Sequence, residues 1–367
     1  MDLATLSESN GRFYVPSFAV RLAGKDLLRD HAVAVTGGEV DLSLGAAGRF
    51  SFTIANSFDL DAQEFLVGQG RSELLELLTF GAPIEIAVGY GDTARLPNLI
   101  TGIITQITTS FSPGGSPELS ISGYDNAFPM MGGKNTRAWT KKRDSEAVQE
   151  IAGFHNLEAD VASTEEQHDQ IEQNQESDLE FINKLAKRNG CEVYVTDRTL
   201  HFRPPHNKGD GVVTIEWGKG LLSFKPDGNL AGQVSGVEVY GWNPKTKEEI
   251  VGRANHGQEP GRDAKRESAG DELDRVLRKR PVLRVRQPVF SEAEANSRAQ
   301  ALLKEQSEQF LTGEGETIGL PEVRPDRNVT LLGLGKKFSR VYYVDQTTHQ
   351  FGTDGYHTRF KVKEITL

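Results

Sequence analysis

Few residues of this chain have the types and spacing that could do chemistry. His349 and His357 stand on either side of the turn-forming run QFGTDGY, so a β-hairpin would bring them near each other. Two imidazoles without a third ligand make a poor zinc site, and they read better as polar residues flanking a turn. The single cysteine, Cys191, excludes an intrachain disulfide and a cysteine-based zinc site. It lies inside a strand pattern with no base suggested beside it, so it reads as a small buried apolar residue and not as a nucleophile. GEGETIG (313–319) is glycine-rich, but a dinucleotide loop follows a strand and opens a helix, whereas here a predicted helix precedes and Leu320-Pro321 follow. GLGKK (333–337) lacks both the phosphate-loop spacing and the Ser or Thr that should come next. Carboxylates are plentiful, but no apolar pocket around any one of them can be inferred, so a glycosidase-type acid/base pair is not assigned. The reading therefore assigns no catalytic residue, no cofactor-binding residue and no metal ligand.

One basic cluster stands out. In GGKNTRAWTKKRD (132–144), Lys134, Arg137, Lys141, Lys142 and Arg143 surround Trp139. The stretch reads as a loop. A basic, aromatic loop can hold single-stranded nucleic acid, dock on an acidic partner or cargo, or simply be solvated. The net charge of -10 argues against a specific nucleic-acid role, and the solvated loop is preferred, with a partner- or cargo-facing role second.

The elements that must position these residues are mostly strands. The length of 367 residues suggests two or three domains, and 37% hydrophobic with 26% charged residues is a globular composition. The N-terminal MDLATLSESNGRFYVPSF has no signal-peptide pattern, and no apolar run approaches the ~20 residues of a membrane helix, so synthesis in a bacterial cytoplasm without membrane insertion is expected. Phe50, Phe52 and Ile54 alternate with Ser51 and Thr53; Ile84, Ile86, Val88 and Tyr90 repeat the period of two. SFSPGGSPELSIS reads as strand, turn, strand, and the whole first region as a barrel or sandwich.

After Tyr124 the pattern changes. Asp144 is a candidate N-cap for a short helix through Val148, Ile151 and Ala152. Glu158 to Asn174 reads as a polar, exposed connection. Ser177 and Glu180 then have capping-box spacing, Phe181, Ile182 and Leu185 supply an apolar face, and Gly190 is the expected left-handed stop. Strand patterns return over 212–242. Residues 243–280, dense in charge, read as a long exposed loop or weakly ordered insertion. Ser291 and Glu294 open another helix, to about Phe310, and the C-terminal stretch is β again, with Tyr356, Thr358, Phe360 and Val362 on one face. The fold class is mainly β with an α+β insert: a first β region over 1–125, an insert over 126–206 with helices near 145–153 and 178–189, and a second β region over 207–367 carrying the charged loop 243–280 and the helix 292–310.

QESDLEFINKLAKRNG (175–190) resembles the signature helix of the phage late control D family, the tail hub proteins of contractile phages and related injection systems, also found in the hub half of type VI secretion spike proteins. SEAVQEIAGFHNL (145–157), AEANSRAQALLKE (293–305) and FSRVYYVDQTTHQFGTDGYHTRFKVKEI (338–365) agree with the family in the same order. The resemblance runs from about residue 12 onward. It implies two similar β-barrel domains with a smaller α/β region, and a homotrimer whose six barrels join a six-fold tail tube to a three-fold spike. The implied location is the baseplate of a virion or phage-like particle; the implied partners are further copies of the chain, a tail tube protein, a spike protein and other baseplate proteins, with no catalysis. Type VI spike proteins continue into an OB-fold and a β-helix, whereas this sequence stops at Leu367, so a separate spike polypeptide is expected. The competing reading, a tail-associated cell-wall hydrolase, finds no spare domain-sized segment.

Overall fold

The computed structural model describes residues 2–9, 13, 15–55, 57–67, 72–113, 115–243, 247–259, 262, 266–277 and 280–367. The fold is mainly β, organised around one 13-stranded sheet. The first part of that sheet comprises β1 (Pro16–Leu22), β2 (Val35–Ser43), β3 (Arg49–Ile54), β4 (Pro83–Tyr90), β5 (Asn98–Ser110) and β6 (Glu118–Asp125), hydrogen-bonded in the order β1-β4-β5-β6-β3-β2. It rolls around a core of Phe50, Phe52, Ile54, Ile84, Ile86, Val88 and Ile121, the inward members of each period-two pattern. A short helix, Leu74–Leu77, buries Leu74 in the same core.

The second part is a closed barrel. Its strands are β12 (Val213–Trp217), β13 (Gly220–Gly228), β17 (Leu311–Ile318), β18 (Asn328–Leu332), β19 (Arg340–Gly352) and β20 (Gly355–Glu364), and β19 pairs with β20 to complete the ring. Closure removes sheet edges, and Val213, Ile215, Leu331, Tyr342, Phe360 and Val362 fill the interior. Helix α1 (Leu3–Ser9) packs here, with Leu6 inside this core.

The two parts share β19. Its first residues pair with β18, while Gln346–Gly352 pair with β2 and continue the first sheet. A bulge between Val344 and Gln346 marks the bend between the two roles. Phe351 and Tyr356, at the tip of the β19–β20 hairpin, are buried in the first core. The barrels are thus joined by continuous backbone ladders.

Two α/β inserts sit on this frame. The first holds β7 (Asn135–Arg143), α2 (Asp144–Phe154), β8 (Glu158–Val161), β9 (Gln167–Glu176), α3 (Asp178–Asn189), β10 (Glu192–Thr196) and β11 (Thr199–Arg203). The second holds β14 (Gly236–Asn243), β15 (Glu248–Asn255), α4 (Ala269–Val276), β16 (Val282–Arg286) and α5 (Glu292–Ser307). Helix α5 lies so close to β15 that a Cβ on Gly252 would stand 2.1 Å from the Ala295 carbonyl carbon.

Three expectations are corrected. Residues 132–144 are not a loop: 135–143 form β7, antiparallel to β9. Glu158 to Asn174 is not an exposed connection, because it contains β8 and most of β9. The reason is one cross-strand pair, Trp139 opposite Ile171, both buried, which anchors a ribbon of otherwise polar residues. Within 243–280, β15 and the Ser268-capped helix α4 are ordered elements; residues 244–246, 260, 261, 263–265, 278 and 279 of that stretch lie outside the described residues.

Candidate functional site

Helix α3 is held at both ends and along one face. Ser177 Oγ accepts from the Glu180 amide at 3.2 Å, and the Glu180 carboxylate accepts from the Ser177 amide at 2.7 Å. The Lys134 ammonium, 2.7 Å from the same carboxylate, and the Ser177 amide hold Glu180 down at about 2. Gly190 takes φ 63°, the left-handed conformation that ends the helix. Phe181, Ile182 and Leu185 are buried.

The basic residues of β7 serve this same packing. The Trp139 indole stacks on Phe181 with ring centroids 5.3 Å apart and donates from Nε1 to Glu150 at 2.7 Å. It is a core residue and not a stacking platform for bases. Arg137 pairs with the buried Asp178 carboxylate at 2.7 Å, Lys142 pairs with Glu150, and Arg143 donates to Ser163 Oγ at 3.1 Å. Lys141 and Arg143 are exposed. Most of this positive charge is thus matched inside the insert.

Asp144 is not the cap of α2, since Arg143 occupies that position. Its buried carboxylate instead receives Arg188 Nε at 2.7 Å, a second Arg188 nitrogen and Asn189 Nδ2 at 2.7 Å. His168 stands between Asp144 (3.5 Å) and Glu294 of α5 (3.9 Å), and Arg298 pairs with Glu294 at 2.8 Å. The two inserts meet across this charged seam, and Lys304 of α5 adds hydrogen bonds to the Gly190 carbonyl and to Glu192, each 3.0 Å. Burial pushes the Cys191 thiol up to about 11, so it stays protonated and inert at neutral pH. His349 is fully buried against Tyr356 Oη at 2.8 Å, and burial pushes its imidazole down to about 3. Its cross-strand neighbour is Thr358, while His357 faces Gln350, so the hairpin forms without bringing the two histidines opposite each other.

A dense polar centre lies where the first insert meets the barrels. Asp326, 1% exposed, accepts from the His206 amide (2.9 Å), Tyr343 Oη (2.8 Å), Tyr194 Oη (2.9 Å) and Arg203 (3.2 Å), and lies 2.6 Å from His206 Nδ1. Burial works to raise its carboxyl, but the hydrogen bonds from His206, Tyr343 and Tyr194 outweigh it and hold the group below the usual range. Beside it opens a cleft of about 230 Å³, bounded by β2 and β5 of the first barrel, β10 and β11 of the insert, and the 324–327 turn. Sequence reasoning missed this centre. The only local signal is the compact Arg324-Pro325-Asp326-Arg327 run, and of its partners only Tyr343 is near in sequence, while Tyr194, Arg203 and His206 stand 120 or more residues away.

No described helix is long and apolar enough to cross a membrane. No curated protein matches the sequence. The family model described as "Alg8 N-terminal domain" matches residues 56–352. Among solved structures, the chain is similar to the 43 kDa tail protein of prophage MuSo2 from Shewanella oneidensis, with 14% identity over 95% of this chain and 98% of that one and a TM-score of 0.69. It is similar to the tail protein from Neisseria meningitidis MC58, with 16% identity over 96% and 97% of the two chains and a TM-score of 0.68. An E. coli type VI secretion component, described as structurally similar to the T4 tail proteins gp27 and gp5, matches with 12% identity over 95% of this chain and 76% of that one, at a TM-score of 0.55. The chain has the fold of these tail proteins.

Proposed function

The chain belongs to the Alg8 N-terminal domain family, and from its likeness in fold to tail proteins we propose that it is a structural hub in the baseplate of a contractile phage tail or phage-like injection system. In this reading it is a non-catalytic homotrimer that joins a six-fold tail tube to a three-fold spike. Its units are the barrel over 1–125, the insert over 126–206 and the second barrel region over 207–367. The observation that carries the proposal is the end-to-end likeness to the MuSo2 tail protein, which spans 95% of one chain and 98% of the other.

Two features of this chain support it. The barrels share β19, so each copy presents two rigidly related β units, and three copies would present six around one axis. Large apolar side chains also stand in solvent at adjoining strand ends of the closed barrel: Trp217 is 61% exposed, Leu222 49% and Leu332 39%. Exposed apolar surface of this kind suits burial between subunits.

Light scattering and native mass spectrometry of the purified chain, followed by electron microscopy with tube and spike proteins, test the reading. A trimer that caps tube ends is expected. A stable monomer that joins neither tube nor spike overturns it.

A further inference from the structure

We propose that the cleft at the meeting of the first barrel, the first insert and the 324–327 turn is a binding site for a carboxylate carried by a partner polypeptide. Its volume of about 230 Å³ is several times the roughly 30 Å³ share of one water molecule, enough for a chain end or one short side chain.

Two arginines of the lining, Arg324 and Arg327, make no close ion pair with a carboxylate among the described residues. Arg324 is half-buried, and its guanidinium hydrogen-bonds to neutral acceptors, donating from Nε to the Pro321 carbonyl at 2.9 Å and from Nη2 to the Asn98 carbonyl. Burial disfavours its charge and the nearby Arg327 guanidinium adds repulsion, and the attraction of the Asp197 and Glu322 carboxylates offsets this only in part. Arg327 is exposed and lines the same cleft. A partly desolvated cation without a contacting counter-ion is costly, and an anion in the cleft would offset that cost. Arg203 does not fill the role, because it is paired with Asp160 and Asp326; its Nε is left buried without a partner.

The lining also selects the kind of anion. Asp197 accepts from Asn98 and Thr101, and Asp125 from the Gly48 and Ala127 amides, so neither makes a direct ion pair with the arginines. The Asp197 carboxylate opposes a dianion such as phosphate and leaves room for a single negative charge. A guanidinium fork matches a carboxylate. Leu42, Ile100 and Val195 line the same cleft and would take the aliphatic carbon behind it. A free C-terminus and a Glu or Asp side chain present the same chemistry.

The test is calorimetric titration of the full chain with four probes: a short peptide ending in a free leucine carboxylate, the same peptide amidated, an amidated peptide with an internal Glu, and inorganic phosphate. Binding of either carboxylate peptide, without the neutral amide and more tightly than phosphate, is expected, and whichever of the two binds identifies the source. Arg324→Gln should weaken that binding at least about tenfold, as loss of a charge-assisted contact predicts. Arg327→Gln, at an exposed position that leaves packing intact, should weaken it severalfold. Equal binding of the neutral amide, tighter binding of phosphate, unchanged binding in the two variants, or no binding by any probe overturns the proposal. The assay uses the free chain, so its failure leaves the hub reading standing.

Discussion

Removing the Asp326 carboxylate should loosen the joint between the first insert and the closed barrel. Asp326→Ala deletes the acceptor shared by Tyr194, Arg203, His206 and Tyr343, strands the buried Tyr343 hydroxyl and leaves Arg203 with Asp160 as its one carboxylate partner. Breaking a buried, hydrogen-bonded charge centre by removing one partner typically costs about 3–5 kcal/mol. At about 2 °C per kcal/mol for a chain of this size, the expected fall in melting temperature is roughly 6–10 °C. Asp326→Asn keeps one acceptor oxygen but turns an N–H toward Arg203, and should fall between Ala and wild type. The effect depends on pH. Because the native carboxyl lies below its ordinary value, its contribution is complete above the unfolded value of about 3.9 and is lost as pH falls through the lowered native value. The Ala penalty should therefore be full at pH 7 and shrink in strong acid. Scanning calorimetry measures the total, and hydrogen exchange locates it, with β10 and β11 accelerating before β3 or β6. A melting temperature within about 1 °C of wild type at pH 7, or exchange that accelerates first in the distant barrel, would refute the reasoning.

Four further outcomes follow from the same geometry. Burial raises Asp125 to about 7, so the stability this group contributes is complete below the unfolded value near 3.9 and is lost as pH rises through about 7, with a slope of up to ~1.4 kcal/mol per pH unit between them; denaturant titrations at pH 5 to 8 should show that slope, and Asp125→Asn should flatten it. Ser177→Ala removes the α3 cap and should lower stability by about 1 kcal/mol in the same assay. Gly252→Ala drives a methyl into the backbone at Ala295 and should cost roughly 1–3 kcal/mol, with an altered near-ultraviolet circular dichroism spectrum. Replacing Lys141, Lys142 and Arg143 together with Ala should change stability by less than about 1 kcal/mol, since the Lys142–Glu150 pair is partly exposed; a loss of assembly or cargo retention in that variant would mark the strand as an interface.

What the sequence determined by itself was local. The α3 cap, apolar face and glycine stop are all written within residues 177–190, because helix ends are satisfied by neighbours three or four positions away. The inward sides of β3, β4 and β20 were legible for the same reason, as a period of two survives without knowledge of the partner strand. β7 and β9 were not legible, because one buried pair, Trp139 opposite Ile171, outweighs a dozen polar neighbours, and that pairing exists only across the ribbon. Tertiary structure alone decided that β19 would serve both barrels, that Asp144 would bind Arg188 and not cap its own helix, and that Asp326 would gather partners from two units. Buried charge cannot be read from residue order, because whether a carboxylate is a solvated surface group or a structural centre depends on which distant donors the folded chain brings to it.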